Sequence, residues 1–313
     1  MITQFEQVLD AVVERRTLTV AVAVAETMSV MQAVKDAVDQ DIAWPLLVGD
    51  SAMIHSLADD VGIDLTDVEV VHEPNDLKAA RLATLAVRDG RAQMLMKGHI
   101  HTDDFLRAVL DKETGLRSGY IMSHVFILET LDRGRLTFVT DGAMNIAPDL
   151  TTKADIIMNA VYLARCFGIV TPKVGVLAAV EMVNPKMSAT TDAAALSVMA
   201  TRGQFPDCVV EGPFALDNAV SSIAAQVKGI GGDVAGNCDI LVVPNIEAGN
   251  ILTKSFSFIA HKSVAGVLVG ASAPVVLTSR ADSAEAKLYS LAVAVLMSNI
   301  ERSQRLKIGR VHF

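Results

Sequence analysis

Aromatic residues make up only 4% of this 313-residue chain, with a single tryptophan, while hydrophobic residues reach 51%. The apolar content is therefore mostly Ala, Val, Leu and Ile, the mixture that fills parallel sheets covered by helices. Cysteine is scarce as well. Cys166, Cys208 and Cys238 are far apart, odd in number and form no C-x-x-C, which argues against a disulfide framework or a thiolate metal site. Each reads as a small buried hydrophobe. Positive charge is in deficit: the net charge is −9, the pI is near 5.2, and no Lys/Arg run is long enough to track a phosphodiester backbone. Nucleic acid is not expected as a partner. Long apolar runs are missing too, since the most apolar window, VAGVLVGASAPVVLT at 264–278, is interrupted by Gly, Ser and Pro and is too short to span a bilayer. MITQFEQVLDAVVERRTLTV lacks the basic and apolar regions of a signal peptide, so a cytoplasmic protein with no membrane partner is expected.

Several signatures of enzyme chemistry are absent. There is no GxxxxGK[ST], no GxSxG and no HExxH, so NTP hydrolysis and nucleophile-elbow chemistry lack support. The Gly-rich stretch KGIGGDVAGNCD (228–239) precedes an apolar strand instead of following one, the wrong order for a dinucleotide fingerprint.

What is present is alternation. Apolar runs at LTVAVAVA (18–25), WPLLVGD (44–50), DVEVVHE (67–73) and AQMLMKG (92–98) are interleaved with helical patterns near 28–40, 76–89 and FLRAVLDK. The pattern resumes with KVGVLAAV, a helix through TTDAAALSVMA, CVVEGP, helical DNAVSSIAAQ, DILVVPN, a helical stretch TKSFSFIAHKSVAG and the strand PVVLTS. Such alternation predicts βαβ units and a parallel sheet. Between the two series, HVFILETLDRGRLTFVTDG (124–142) carries two β-rich runs around Asp132-Arg133-Gly134, which predicts a hairpin. The expected fold class is α/β with two α/β domains: residues 1–118 with 270–313 form one, discontinuous, and 119–269 form the other. A cleft between them is the expected site.

Three stretches could bind an anion. In PVVLTSRADSAEAKLYSLAVAVL (274–296), an apolar strand ends on Ser279 and Arg280; Asp282 can cap the next helix and Glu285 can complete a D-x-x-E box. A strand edge, an arginine and a helix N-terminus thus converge, where open α/β sheets bind ligands and where phosphate is favoured. The residue types equally allow Arg280 to pair with a neighbouring carboxylate while Asp282 merely caps. In NIEAGNILTK (245–254), Gly249 can supply a tight turn and Asn250 and Lys254 share one helix face, able to clamp an oxygen or to form a solvated first turn. In MLMKGHIHTDDFLRAVLDKETGLRSG (94–119), Lys97-Gly98 closes a strand, Thr102 or Asp103 can cap a helix, and Arg107 lies in its second turn. His99-x-His101 beside Asp103 and Asp104 invites a metal reading, but no other His/Cys pair has ligand spacing, so no metal is expected.

Taken together, MKGHIHTDDFLRAVLDKETGLRSG, TDGAMNIAPDL, NPKMSATTDAAAL, EGPFALDNAVS, DILVVPNIEAGNIL and PVVLTSRADS cover nearly the whole chain. They resemble the phosphate acetyltransferase and phosphate butyryltransferase family, the butyryltransferase branch most. The resemblance implies an isocitrate/isopropylmalate-dehydrogenase-like fold and a homodimer or dimer-based homo-oligomer. It implies the reaction acyl-CoA + phosphate = acyl phosphate + CoA, by direct thiolate attack in a ternary complex. Coenzyme A is then a substrate and no cofactor is permanently bound. Arg280 would hold the phosphoryl group and Ser279 the developing oxyanion. Asn250 and Lys254 fit a G-N-I-x-x-K pattern and Arg107 a second phosphate-side arginine, with Lys97 and Thr102 also on the substrate side. The family's aspartate beyond the Ser-Arg pair is not matched in ADSAEAK, where Asp282, then Glu285, are the carboxylates available as base. An acetyl-CoA preference, an acyl-CoA-sensing module and a metal-dependent NAD(P)-linked dehydrogenase of the same fold are the alternatives.

Overall fold

The computed structural model describes residues 1–13, 18–130, 134–298 and 311. The chain divides into two compact units, one built on Phe5–Tyr120 and on the chain from Ala265 through the last helix, the other on Ile121–Val264 with Met1–Gln4.

The first unit opens with α1 (Phe5–Val13), followed by β1 (Leu18–Ala23), α2 (Met28–Asp39), β2 (Ala43–Gly49), α3 (Ser51–Val61), β3 (Glu69–His72), α4 (Asp76–Arg88), β4 (Met94–Lys97) and α5 (Thr102–Leu110). Two of its helices start at side-chain caps. Asp50 accepts from Ala52 and Met53 N–H ahead of α3, and Asn75 accepts from Lys78 N–H ahead of α4, so orphan donors of the first turn are satisfied.

The second unit begins with β5 (Ser123–Thr130) and β6 (Arg135–Thr140), then α6 (Leu150–Cys166), β7 (Lys173–Leu177), α7 (Ser188–Thr201), β8 (Val209–Phe214), the short helices α8 (Leu216–Val220) and α9 (Ser222–Val227), β9 (Ile240–Val242) and α10 (Ile246–Phe258). β5 and β6 form an antiparallel pair, Val125 opposite Thr140, as a hairpin requires. Of its expected turn, Asp132 and Arg133 lie outside the described residues. The strand order is β5-β6-β9-β7-β8, with β6-β9, β9-β7 and β7-β8 parallel. Leu128, Val139, Phe214, Cys238 and Leu241 meet in its core.

The chain then returns to the first unit with β10 (Val264–Val269), β11 (Val275–Val276) and α11 (Ala284–Ser298). Here the order is β3-β2-β1-β4-β11-β10. The neighbours are parallel from β3 to β11 and antiparallel between β11 and β10. Residues Val20–Ala23 of β1 and all of β4 are buried, which is why these strands read as unbroken apolar runs. Tyr289 of α11 stacks on Phe5 of α1, ring centroids 4.5 Å apart.

Four expectations fail. The stretch TKSFSFIAHKSVAG is not one helix: α10 ends at Phe258, and Val264 already belongs to β10. DNAVSSIAAQ is broken at Ser221, whose hydroxyl accepts from Ala224 N–H and starts α9 anew. The late strand ends at Val276, so Ser279 and Arg280 lie beyond it, in the connection to α11. Of the cysteines, only Cys238 is buried; Cys166 and Cys208 are partly exposed. Among the described residues, no helix is long and apolar enough to cross a membrane.

The end of β4 is held against β1 without a side chain between them. Gly98 N–H donates to Ala23 O and His99 N–H to Val24 O, both at 2.8 Å, and a Cβ on Gly98 would stand 2.1 Å from Val24 O. Backbone atoms on both sides leave little room to yield. Gly98→Ala is therefore expected to cost about 1–3 kcal/mol in urea unfolding; wild-type stability in that variant would show that the two strand ends can separate freely.

Candidate active site

In the first unit, β4 and β11 run side by side, Met96 opposite Val276. Their C-terminal ends deliver Lys97-Gly98 and Thr278-Ser279-Arg280 to the same edge of the sheet. Lys97 is buried, 2% exposed, and its ammonium reaches the carbonyl oxygens of Gly98 and Thr278, each at 3.4 Å. Beyond Thr278 the backbone folds into a tight turn. Ser279 N–H donates to the Asp282 carboxylate at 2.7 Å, and Asp282 N–H donates back to Ser279 O at 3.2 Å. The Ser279 hydroxyl accepts from Ala281 N–H at 3.3 Å. Arg280, at the tip, is exposed, with its guanidinium 3.5 Å from His101 Nδ1 at the start of α5.

A second buried lysine completes this arrangement. Lys287, in the first turns of α11, is also 2% exposed and donates to the Asp282 carbonyl oxygen. Burial holds its ammonium below the usual lysine range, against the pull of Asp282. Lys97 is pushed down to about 8, first by burial, then by Arg280 and Lys287, with Asp282 opposing. Three cationic groups therefore meet one carboxylate. The surplus is positive and partly desolvated, the condition under which an anion binds well.

Two capping expectations are corrected. Asp282 does not cap α11, because its carboxylate is turned back to Ser279; the Ser283 hydroxyl caps, accepting from Ala286 N–H at 3.1 Å. The D-x-x-E box with Glu285 does not form. Glu285 is exposed and accepts from the Tyr289 hydroxyl at 3.4 Å. At α5 neither Thr102 nor Asp103 caps: His101 occupies the position with no side-chain capping bond, and Thr102 is the first helical residue. Arg107 is exposed and pairs with Asp104 at 2.9 Å. Among the described residues, no three His, Cys, Asp or Glu side chains gather as metal ligands.

The second unit holds the other candidates. Asn245 caps α10 through Ala248 N–H at 3.0 Å. Gly249 makes no tight turn, lying instead inside the helix, where its ideal Cβ would be 2.7 Å from Gly142 Cα. Asn250 donates to Gly142 O at 3.4 Å, and Lys254, one turn on, is exposed. Gly142 follows a buried carboxylate that residue types alone did not single out. Asp141 accepts from Ala143, Met144 and Asn145 N–H and from the Asn145 amide. Burial raises its pKa against the pull of these bonds. Lys287 was missed as well; the signal is a lysine within the otherwise apolar KLYSLAVAVL, where a surface residue has no place.

The displaced Lys97 equilibrium is a stability statement. With 10.5 as its ordinary value and about 8 in the fold, the unfolded chain binds more protons between those limits, so stability rises with pH across that window. Below about pH 8 the whole penalty is present, up to about 3 kcal/mol. Lys97→Met should accordingly exceed the phosphate-free wild type in denaturant stability at pH 7, and the margin should shrink toward pH 10. A margin that does not change with pH would contradict the assigned cause.

The comparisons with known proteins agree among themselves. The family model described as "Phosphate acetyl/butaryl transferase" matches residues 66–295, a span that contains every candidate residue above. The chain is 49% identical over 298 residues to a phosphate butyryltransferase of Clostridium acetobutylicum, covering 95% of this chain and 99% of that protein. It is 52% identical over 280 residues to a probable phosphate butyryltransferase of Bacillus subtilis, covering 90% and 93%. Among solved structures, a branched-chain phosphotransacylase from Enterococcus faecalis superposes with a TM-score of 0.78 at 34% identity, over 90% of this chain and 99% of that one. The chain therefore belongs to the phosphate acetyl/butyryl transferase family of acyltransferases.

Proposed function

We propose that this protein transfers a short acyl group reversibly between coenzyme A and inorganic phosphate, butyryl-CoA being a better substrate than acetyl-CoA. The observation that carries the reading is the Ser279–Arg280 turn, set beside two buried lysines with a single carboxylate among them. Such a centre suits a dianionic phosphoryl group, and membership of the family supplies the acyl-transfer chemistry. The butyryl preference follows the names of the relatives at 49% and 52% identity.

In this scheme phosphate lies against Arg280, whose planar fork can grip two oxygens, with Lys97 behind it. The acyl carbonyl lies at Ser279, whose hydroxyl donates to the oxygen as it becomes an oxyanion. The CoA thiolate attacks the carbonyl carbon in a ternary complex, the tetrahedral intermediate collapses, and phosphate departs; the reverse reaction retraces these steps. Thr102 and Arg107 on α5, and Asn250 and Lys254 on α10, are assigned to substrate binding. Asp282 and Glu285 are the carboxylates nearest the turn in sequence. Coenzyme A is a substrate, no cofactor is resident, and fixed cationic side chains neutralise the phosphate without a metal. A cytoplasmic homodimer completes the reading.

Purified protein should release free thiol from butyryl-CoA only when phosphate is added, in excess EDTA. Loss of activity on chelation, regained with a divalent ion, would overturn the metal-free scheme.

Replacement of the turn residues tests the assignment itself. Ser279→Ala should lower kcat by about 100-fold with little change in KM, as for a bond strengthened in the transition state. Arg280→Lys should lower kcat/KM by at least about tenfold, because an ammonium cannot reproduce a two-oxygen grip. Near-wild-type kinetics in both would remove the turn from the reaction.

A further inference from the structure

The overall reaction moves a proton as well as an acyl group. An acyl phosphate dianion and a CoA thiol become a thioester and monohydrogen phosphate, so the proton on sulfur must end on a phosphate oxygen. A thiol with pKa near 8.5 is mostly protonated at neutral pH, and unprotonated phosphate is a poor leaving group. One side chain that accepts the first proton and returns it to phosphate would serve both ends of the reaction.

The carboxylates are badly placed for this. The Asp282 carboxylate is engaged at 2.7 Å by Ser279 N–H, which directs it back into the turn. Glu285 is exposed in the first turn of α11, bonded to Tyr289. Lys97 differs from both. Its nitrogen faces two carbonyl oxygens, Gly98 and Thr278, at 3.4 Å. A neutral amine has two N–H groups and one lone pair, so the two carbonyls use its donors and the lone pair is left for a substrate proton. The charged groups facing it are Arg280 and Asp282 from the turn and Lys287 from α11. On its other side β1 presents Ala23, and His101 touches Arg280.

From this geometry, and resting on the reaction proposed above, we infer that Lys97 is the acid–base residue that carries the proton between the CoA thiol and phosphate. In the direction of thioester formation, neutral Lys97 takes the proton from sulfur and the thiolate forms the C–S bond. The C–O bond to phosphate breaks with its electron pair on oxygen, and the Lys97 ammonium gives up its proton there. In the opposite direction Lys97 takes the proton from monohydrogen phosphate, phosphate oxygen attacks the thioester, and the leaving thiolate receives it. Lysine ends neutral in both directions, so no other proton donor or oxidant is required. Lys287 and Asp282 act as positioning residues, Lys287 holding the Asp282 carbonyl and Asp282 holding Ser279. The positive neighbours keep Lys97 acidic enough, at about 8, to be partly neutral at working pH.

The test measures kcat from butyryl-CoA and saturating phosphate between pH 6 and 9.5, a direction in which no free substrate thiol titrates. Wild type should show kcat rising through an apparent midpoint at or above about 8, because bound phosphate raises the value of the empty site, where a carboxylate base would give a limb several pH units lower. Lys97→Arg, which keeps the charge but cannot deprotonate, should hold both KM values within about threefold, lose about 100-fold or more in kcat, and lose the limb. Lys97→Ala should recover at least about tenfold with added ethylamine, in proportion to the free amine, as expected for a replaced proton carrier. Lys97→Arg with wild-type kcat and limb, or Lys97→Ala indifferent to ethylamine, would reduce Lys97 to a fixed charge and overturn the inference while leaving the reaction standing. Loss of the limb in Asp282→Asn but not in Lys97→Arg would do the same in favour of the carboxylate. A wild type with no phosphate-dependent thiol release from butyryl-CoA or acetyl-CoA would overturn the reaction and this role together.

Discussion

Two lysine ammoniums buried beside an arginine, with one carboxylate among them, set the terms for the rest of the first unit. A charge taken out of water loses solvation worth several kcal/mol unless partners replace it. Here the replacements are mostly backbone: Gly98 O and Thr278 O for Lys97, and Asp282 O for Lys287. Carbonyl dipoles point the right way but carry no full charge, so the cluster keeps a surplus of positive potential. The backbone must hold the lysines in place, which requires β4 and β11 to end at the same level and the turn after Thr278 to be tight. The Asp282 carboxylate on Ser279 N–H closes that turn, and Lys287 secures it from α11.

The parallel order β3-β2-β1-β4-β11 brings this about. Side-by-side parallel strands deliver their C-terminal ends to one edge, so residues far apart in sequence meet there, the Lys97 ammonium reaching the Thr278 carbonyl oxygen. Gly98 lets β4 end close against β1, where the left-handed turn of the backbone at Val24 brings a carbonyl into contact. In the second unit Gly249 plays a comparable part: without a Cβ, the first turn of α10 approaches Gly142, and Asn250 reaches the Gly142 carbonyl. In both places a small residue allows close backbone approach, and the polar residue beside it gains a fixed position.

The strands were legible because burial on both faces leaves an unbroken apolar run, as in LTVAVAVA and AQMLMKG, and the helices between them because their apolar residues recur with helical period. α10 was misread for a physical reason. NIEAGN carries the residues of a turn, yet Asn245 caps and Gly249 is required by contact with Gly142, a tertiary fact that no local pattern holds. β10 was lost because VAGVLV follows the helical-looking FIAHKS without a turn residue between them. At the site, Ser279, Arg280 and Lys97 stood out by residue type and motif. The role of Asp282 did not, since D-x-x-E reads as a capping box wherever it precedes a helix. Only the folded turn shows the carboxylate directed backward to Ser279 while Ser283 does the capping. Lys287 was passed over for the opposite reason: a lysine at the start of the apolar run KLYSLAVAVL is the one signal it leaves in the sequence, and its 2% exposure shows that it is buried.

Burying cations in this way weakens the empty fold and strengthens the loaded one, and the two effects have one cause. An anion that binds the folded chain and not the unfolded one adds stability as RT ln(1 + [L]/Kd). The same anion, by opposing the Arg280 and Lys287 charges, makes protonation of Lys97 easier. Substrate phosphate would thus alter the proton affinity of the group inferred to exchange a proton with it, and its departure would restore the acidic lysine. A carboxylate in the same place would be moved in the same direction, but from a starting point held low by the surrounding cations, so it would take the proton from a thiol less readily. A lysine kept acidic by neighbouring cations gives up its proton as readily as it takes one, which is what a reaction run in both directions demands of a single side chain.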